Sequence, residues 1–298
     1  MRYDRDHVPW LDSAAGLCCK EKENFMMPET RTVMDYRFWI RKYAGYYLFV
    51  LFFILGMKYH FSEASCESLR WILAPTCWWV RILSGIPFQW IPKIGYTSHS
   101  YRFIIAASCS GLQFMLISIA ALNFSFLHRM KTKKRTCLWI LSSIGFSYLF
   151  TIFINGLRIL LSIYIPFFLF DPFALSRWIT KERFHSILGI MVYFTSLFLL
   201  YQFADGYSLS LQNQHDADRT SPSVLPRFQE YRNFIMPLFW YFSIVLGIPV
   251  LNRAYRNDSR GFWEYEILIL TVSLSLLLLF VFLHKMQKEL KGKKSGGK

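Results

Sequence analysis

The sequence predicts an all-α, polytopic helical membrane protein, with about six transmembrane helices plus one interfacial or re-entrant helix. Three observations carry this. The chain has 298 residues, of which 54% are hydrophobic and 19% aromatic, with a mean hydropathy of +0.27. That is too apolar for one or two soluble cores under polar coats. The apolar residues gather in runs of about 20, the length that crosses roughly 30 Å of hydrocarbon at 1.5 Å per residue. Lys and Arg gather between alternate runs, as the positive-inside rule expects. A lipid-spanning backbone must satisfy its own hydrogen bonds, so the runs read as helices.

Six runs qualify: Tyr43–Met57, Phe103–Leu127, Leu138–Tyr164, Phe184–Phe203, Phe234–Leu251 and Glu264–Leu283. They divide the chain into a polar cytoplasmic tail (1–40), a multi-pass membrane domain (41–284) and a basic cytoplasmic tail (285–298). The net charge of +15 raises nucleic acid as a partner, but its distribution argues for a membrane instead. With the N-terminus inside, residues 1–42, 128–137, 204–233 and 284–298 face the cytoplasm and hold 22 of the 34 Lys and Arg. The cluster Lys131–Arg135 and the tail from Lys285 suit anionic headgroups.

Taken in order, residues 1–40 have no apolar h-region of a cleavable signal peptide. Cys18 and Cys19 follow no hydrophobic run and read as reduced cytosolic thiols. After the first span, residues 58–102 form the longest outside region. Within it Leu69–Leu83 is apolar and rich in Trp, but Arg70, Pro75 and Arg81 interrupt it. It reads as an interfacial or re-entrant helix with Trp rings at headgroup level. A seventh span here would invert everything downstream and destroy the charge asymmetry. Cys66 and Cys77 lie in this region and read as unpaired rather than as a disulfide.

The second span runs inward from Phe103. Cys109 is its seventh residue, about 9 Å below the outer edge. The third returns outward and carries Asn155 and Arg158 near its outer end, three apart and so on one helix face. After an outside loop, Asp171–Lys181, His185 opens the fourth span. Cys109, Arg158 and His185 thus fall at the outer ends of three consecutive helices. Residues 205–232 are a polar inside loop, and the last two spans are packing or lipid-facing helices.

These residue types suit thiol chemistry. A thiolate is the nucleophile, a guanidinium favours the thiolate or an oxyanion, and an imidazole passes a proton from thiol to leaving amine. Ser110 and Gly111 are small and leave room for a substrate backbone. Each residue also has a plainer reading taken singly: a packing cysteine, a snorkelling arginine, an interfacial histidine. No HExxH, CxxC, P-loop or GxGxxG supports a metal, redox or nucleotide cofactor, so none is expected.

The stretches Ala107-Ser108-Cys109-Ser110-Gly111-Leu112, Asn155-Gly156-Leu157-Arg158-Ile159 and Phe184-His185-Ser186-Ile187-Leu188-Gly189 resemble the three signatures of the exosortase/archaeosortase family. Upstream, Leu73-Ala74-Pro75-Thr76, Ser84-Gly85-Ile86-Pro87-Phe88 and Gly95-Tyr96 resemble its exosortase K branch. The resemblance covers about residues 70–205. It implies a multi-pass membrane cysteine peptidase or transpeptidase, with Cys109, Arg158 and His185 as its catalytic residues. Such an enzyme acts on membrane-anchored proteins at the outer face of the cytoplasmic (inner) membrane. It cleaves a C-terminal sorting signal and transfers the new carboxyl end to an acceptor, of which a surface glycolipid is one candidate. Asn155 and Ser110 are candidate substrate-binding residues. The polar N-terminal tail is longer than the family needs, and the last two spans carry none of its signatures. The alternative is a non-enzymatic subunit of an export or polysaccharide-assembly system, with Cys109 as packing. A transporter fits less well, because the spans hold almost no charge near their middles.

Overall fold

In the computed structural model the described residues are 29–61, 64–98, 103–169, 181–213, 235–251, 256 and 259–295. The readings of residues 1–28, including Cys18 and Cys19, of the loop from Asp171, and of residues 214–234 lie outside them. The chain divides into two compact units, residues 1–46 and 47–298. The described part of the first is the start of helix α1 (Glu29–His60). All that follows concerns the second.

The architecture is all-α with one small sheet. After α1 come α2 (Arg70–Ser84), strands β1 (Gln89–Ile91), β2 (Gly95–Ser98) and β3 (Phe103–Ile105), and a 3-10 turn (Ala107–Cys109). Helix α3 (Leu112–Phe126), a second 3-10 turn (Leu127–Arg129), α4 (Lys133–Leu169), α5 (Lys181–Asn213), α6 (residues 235–251) and α7 (Ser259–Ser295) complete it. Among the described residues, four helical segments are long and apolar enough to cross a membrane: Ala107–Arg129, Lys133–Ile165, Arg183–Leu211 and Ser259–Met286. They are the second, third, fourth and sixth expected spans. The first, Tyr43–Met57, falls inside α1. The fifth is weaker than expected, since its continuous apolar stretch is only Ile235–Gly247. A π-turn occupies Ser243–Gly247, just ahead of Pro249, whose ring nitrogen cannot donate back along the helix. The broken apolar segment Leu69–Leu83 is a helix, α2.

Two expectations need correcting. Residues 205–213 are not loop but the last turns of α5, which runs to Asn213. Phe103–Leu127 is not a single helix, and Cys109 is not a residue of the helix interior. Phe103–Ile105, with its β-branched pair, instead pairs antiparallel with β2, Ile105 opposite Tyr96. The chain then makes the 3-10 turn that ends at Cys109. It enters α3 through Gly111, whose φ of +72° lies in the left-handed region that a side chain disfavours.

Helix α3 is the hub. It is buried on nearly every side, from Leu112 through Phe126, as an apolar helix surrounded by others must be. It packs against α4 and α5. Helix α2 lies along the middle of α4, with Trp71 stacked on Tyr148 and Trp79 against Phe153. The Trp79 ring fits because position 156 is glycine: a Cβ there would stand 2.5 Å from its Cδ1. At the end far from Cys109, Asn123 Nδ2 donates to Ser143 Oγ at 2.7 Å. Arg129 pairs with Asp205 at 2.7 Å, both side chains under a tenth exposed. These contacts tie the far ends of α3, α4 and α5 together.

Candidate thiol site

Three local features bring the Cys109 turn onto α4. The turn is closed by Cys109 N–H donating to Ala106 O at 2.9 Å and Ser110 N–H to Ala107 O at 3.1 Å. Gly111 then reverses the chain close against α4, where an added Cβ would meet Asn155 Cγ at 3.0 Å and Thr151 Cγ2 at 3.1 Å. Finally, the Asn155 amide Nδ2 donates to the Cys109 carbonyl at 2.6 Å. The cysteine, a half-exposed residue, is thus pinned by its backbone, and its sulfur makes no hydrogen bond among the described residues.

From Asn155 a continuous chain of hydrogen bonds leads to the other two candidates. Tyr193 Oη donates to Asn155 Oδ1 at 2.7 Å and accepts from Arg158 Nη1 at 3.1 Å. Arg158 Nη2 lies 3.1 Å from His185 Nε2. Donor chemistry fixes every direction here. Arginine has no acceptor, so His185 Nε2 must carry the lone pair, and the neutral ring holds its proton on Nδ1. The guanidinium also sits 5.1 Å above the Tyr193 ring, which is stacked on Phe114 at 4.8 Å. The groups acting electrostatically on Arg158 are Tyr193, Cys109 and Tyr265. None of these is a carboxylate, and Arg158 Nε–H is buried with no hydrogen-bond partner among the described residues. A buried guanidinium with no carboxylate beside it keeps its charge and one donor free for something that arrives later.

The structure therefore places Cys109, Asn155, Arg158 and His185 in one cluster drawn from a turn and two helices. Ser110 is buried beside them, with its Oγ accepting from Leu112 N–H at 3.4 Å. A cavity of about 380 Å³ adjoins the cluster, and Ser108, Ser110, Arg158 and Tyr193 are in its wall. Cys109 and His185 flank that wall without forming part of it. Cys66 and Cys77 are buried and form no disulfide among the described residues, and Cys137 is exposed. Burial pushes the Cys77 thiol up to about 12, which leaves it inert as a nucleophile.

Two residues of the cluster escaped the sequence reading as site residues. Tyr193 is the joint of the network. Gly189 is its clearance, since a Cβ there would stand 2.9 Å from Arg158 Nε. The signal was present: His185, Gly189 and Tyr193 recur every fourth residue, one face of α5.

Residues 39–202 match the family described as Transmembrane exosortase (Exosortase_EpsH), more than half of the chain. The chain belongs to the transmembrane exosortase family. It is accordingly a multi-pass membrane protein of the exosortase type. The matched region holds every residue of the network, from Cys109 to Tyr193, whereas α6 and α7 lie beyond it. The match is to the exosortases as a whole and does not single out the K-like branch. No curated protein and no solved structure matches the chain significantly.

Proposed function

We propose that this exosortase is a membrane cysteine peptidase or transpeptidase that removes a C-terminal sorting signal from membrane-anchored proteins at the outer face of the cytoplasmic membrane. The observation that carries the reading is the unbroken path from the Cys109 carbonyl through Asn155, Tyr193 and Arg158 to His185, which includes a guanidinium with no carboxylate beside it among the described residues. Packing alone gives no reason to bury such a group.

Cys109 sulfur attacks the scissile carbonyl carbon, and its proton goes to His185. In the resting arrangement Arg158 occupies the His185 Nε2 lone pair. As the guanidinium engages the developing oxyanion, that lone pair is released to take the proton. Collapse of the tetrahedral intermediate breaks the C–N bond, and His185 returns the proton to the leaving amine. Water, or an amine or hydroxyl on a surface acceptor, then resolves the thioester. Asn155, engaged at both ends of its amide, holds the Cys109 turn and the Tyr193–Arg158 pair in register. Ser110 borders the space left for substrate.

The test is processing of a co-expressed membrane-tethered protein that ends in a Pro-rich motif, an apolar stretch and a basic tail. Cys109→Ala is expected to accumulate in membranes like the parent and to leave the tail uncleaved. Arg158→Lys keeps the charge but loses the planar fork and is expected to lose most activity. Full processing by Cys109→Ala at equal abundance would end the cysteine-enzyme reading.

A further inference from the structure

Helices α5 and α7 run side by side in the same direction. Near their starts Arg183 pairs with Glu264 at 3.2 Å. About 15 residues further along each helix, roughly 23 Å at 1.5 Å per residue, Phe198 stacks on Phe280 with ring centres 4.7 Å apart. Just inside the ion pair the two helices leave a cavity of about 630 Å³, with Ser186 on the α5 side and Tyr265, Leu268 and Thr271 on the α7 side. Ser186 and Tyr265 also line the cavity beside Cys109, so the two spaces meet there, one residue along from His185. The second space changes character along α7: Arg183 and Glu264 hold one end, whereas Ile267 and Leu268, a turn further on, are apolar. It also lies at the periphery of the bundle. Ile267 and Leu274 are exposed, and only 11% of the most apolar stretch of α7 is buried, against 33% to 83% in the other three long apolar helices. An uncovered apolar helix of this length faces lipid.

We propose that the space between α5 and α7 is the leaving-group subsite, seating the apolar residues that follow the scissile bond and lead into the membrane. This rests on the peptidase reading. There His185 gives its proton to the leaving amine, so the residues after the scissile bond lie on the His185 side of Cys109. The next position along α5, Ser186, opens onto this space, and Tyr265 faces it across the junction. Tyr265 therefore borders the first residues after the bond, and Leu268 the ones that follow. An apolar segment gains by covering Leu268 and Ile267, and between these helices it reaches lipid without crossing α3, which is buried along its length. Helix α7 lies beyond residues 39–202, the part matched to the family. The wall that selects the leaving segment is thus separate from the part that carries Cys109, Arg158 and His185.

The experiment is photo-cross-linking in membranes. Leu268→benzoylphenylalanine is made in the full-length Cys109→Ala protein and co-expressed with the membrane-tethered protein used for the processing test. Irradiation is expected to give an adduct with the apolar stretch just after the cleavage site, located by mass spectrometry. Leu141→benzoylphenylalanine on α4 is the control, since Leu141 is 69% exposed and lines neither space; it should give little adduct. No adduct at position 268, adducts with lipid alone, adducts with the Pro-rich motif in place of the apolar stretch, or equal adducts at both positions would each overturn the proposal. In the protein that keeps Cys109, Leu268→Trp fills the space and should slow processing about tenfold or more, the scale on which an apolar pocket registers a change of one methylene. Leu141→Trp should process like the parent. Changing the apolar residues just after the cleavage site to alanine should return part of the rate lost in Leu268→Trp, which a misfolded variant could not do. A Leu268→Trp protein as fast as the parent would refute the subsite. The cross-link needs no turnover, so the two readings separate: full processing by Cys109→Ala would sink the peptidase reading, whereas processing by the parent with no adduct at position 268 would sink the subsite alone.

Discussion

Substituting alanine for Gly189 adds one methyl group at the point where α5 passes closest to Arg158. An ideal Cβ there stands 2.9 Å from Arg158 Nε, 3.2 Å from Nη2 and 3.3 Å from Cζ. Ordinary contact needs about 3.4 Å or more, so the guanidinium must retreat by roughly 0.5 Å. It has little freedom to do so, being held by Tyr193 Oη and His185 Nε2, each at 3.1 Å. Adding the retreat to either bond takes it to about 3.6 Å, past the limit of a hydrogen bond. Misplacing a reacting group by about 1 Å costs about a hundredfold in rate, so this smaller shift should cost between about tenfold and a hundredfold. Stability should fall by no more than about 2 kcal/mol, because alanine's advantage of about 1 kcal/mol over glycine in a helix interior offsets part of the about 1–3 kcal/mol lost with a buried hydrogen bond. The assay is processing rate against membrane abundance and melting temperature. Gly145→Ala and Gly206→Ala are the controls, because nothing lies within 4 Å of a Cβ at either helical position, and both should process normally. Normal processing by Gly189→Ala would refute the claim that Arg158 must hold this position.

Further outcomes follow from the same contacts. Tyr193→Phe leaves Asn155 Oδ1 and Arg158 Nη1 without their partner. It should lower stability by about 1–3 kcal/mol and reduce kcat more than KM; a variant as stable and active as the parent would remove Tyr193 from the site. Arg129→Met breaks a buried ion pair and should cost about 3–5 kcal/mol, whereas the double change with Asp205→Leu should be milder than Arg129→Met alone. Thermal unfolding in detergent distinguishes the two, and equal melting temperatures for single and double variants would contradict it. Reporter fusions should place the Lys131–Arg135 loop and the C-terminus inside, and the Asp171–Lys181 loop outside. A C-terminus found outside would invert the orientation drawn from the Lys and Arg distribution.

What the sequence made legible follows a physical divide. Helices long enough to cross lipid announce themselves by hydropathy alone, because the bilayer imposes both length and composition, and α4, α5 and α7 stand where the apolar runs placed them. The start of the second span misled for the same reason. Phe103, Ile104 and Ile105 are as apolar as any lipid-facing turn, and hydropathy carries no sign of the partner strand Gly95–Ser98 that claims them. The correction bears on the chemistry. A cysteine inside a helix would have its backbone carbonyl committed to the helix ladder. At the end of a 3-10 turn the Cys109 carbonyl is free to accept from Asn155, and that bond fastens the thiol to the helix that carries Arg158. The charged and nucleophilic residues were legible because they are out of place in an apolar segment. Tyr193 and Gly189 were not, because an aromatic and a small residue are ordinary there, and only the position of Arg158 gives them a task. The network is thus read most securely from its least ordinary member. Once Arg158 is fixed on α4 with no carboxylate beside it among the described residues, the hydroxyl that accepts from it, the glycine that clears it and the imidazole that faces it are each required in turn.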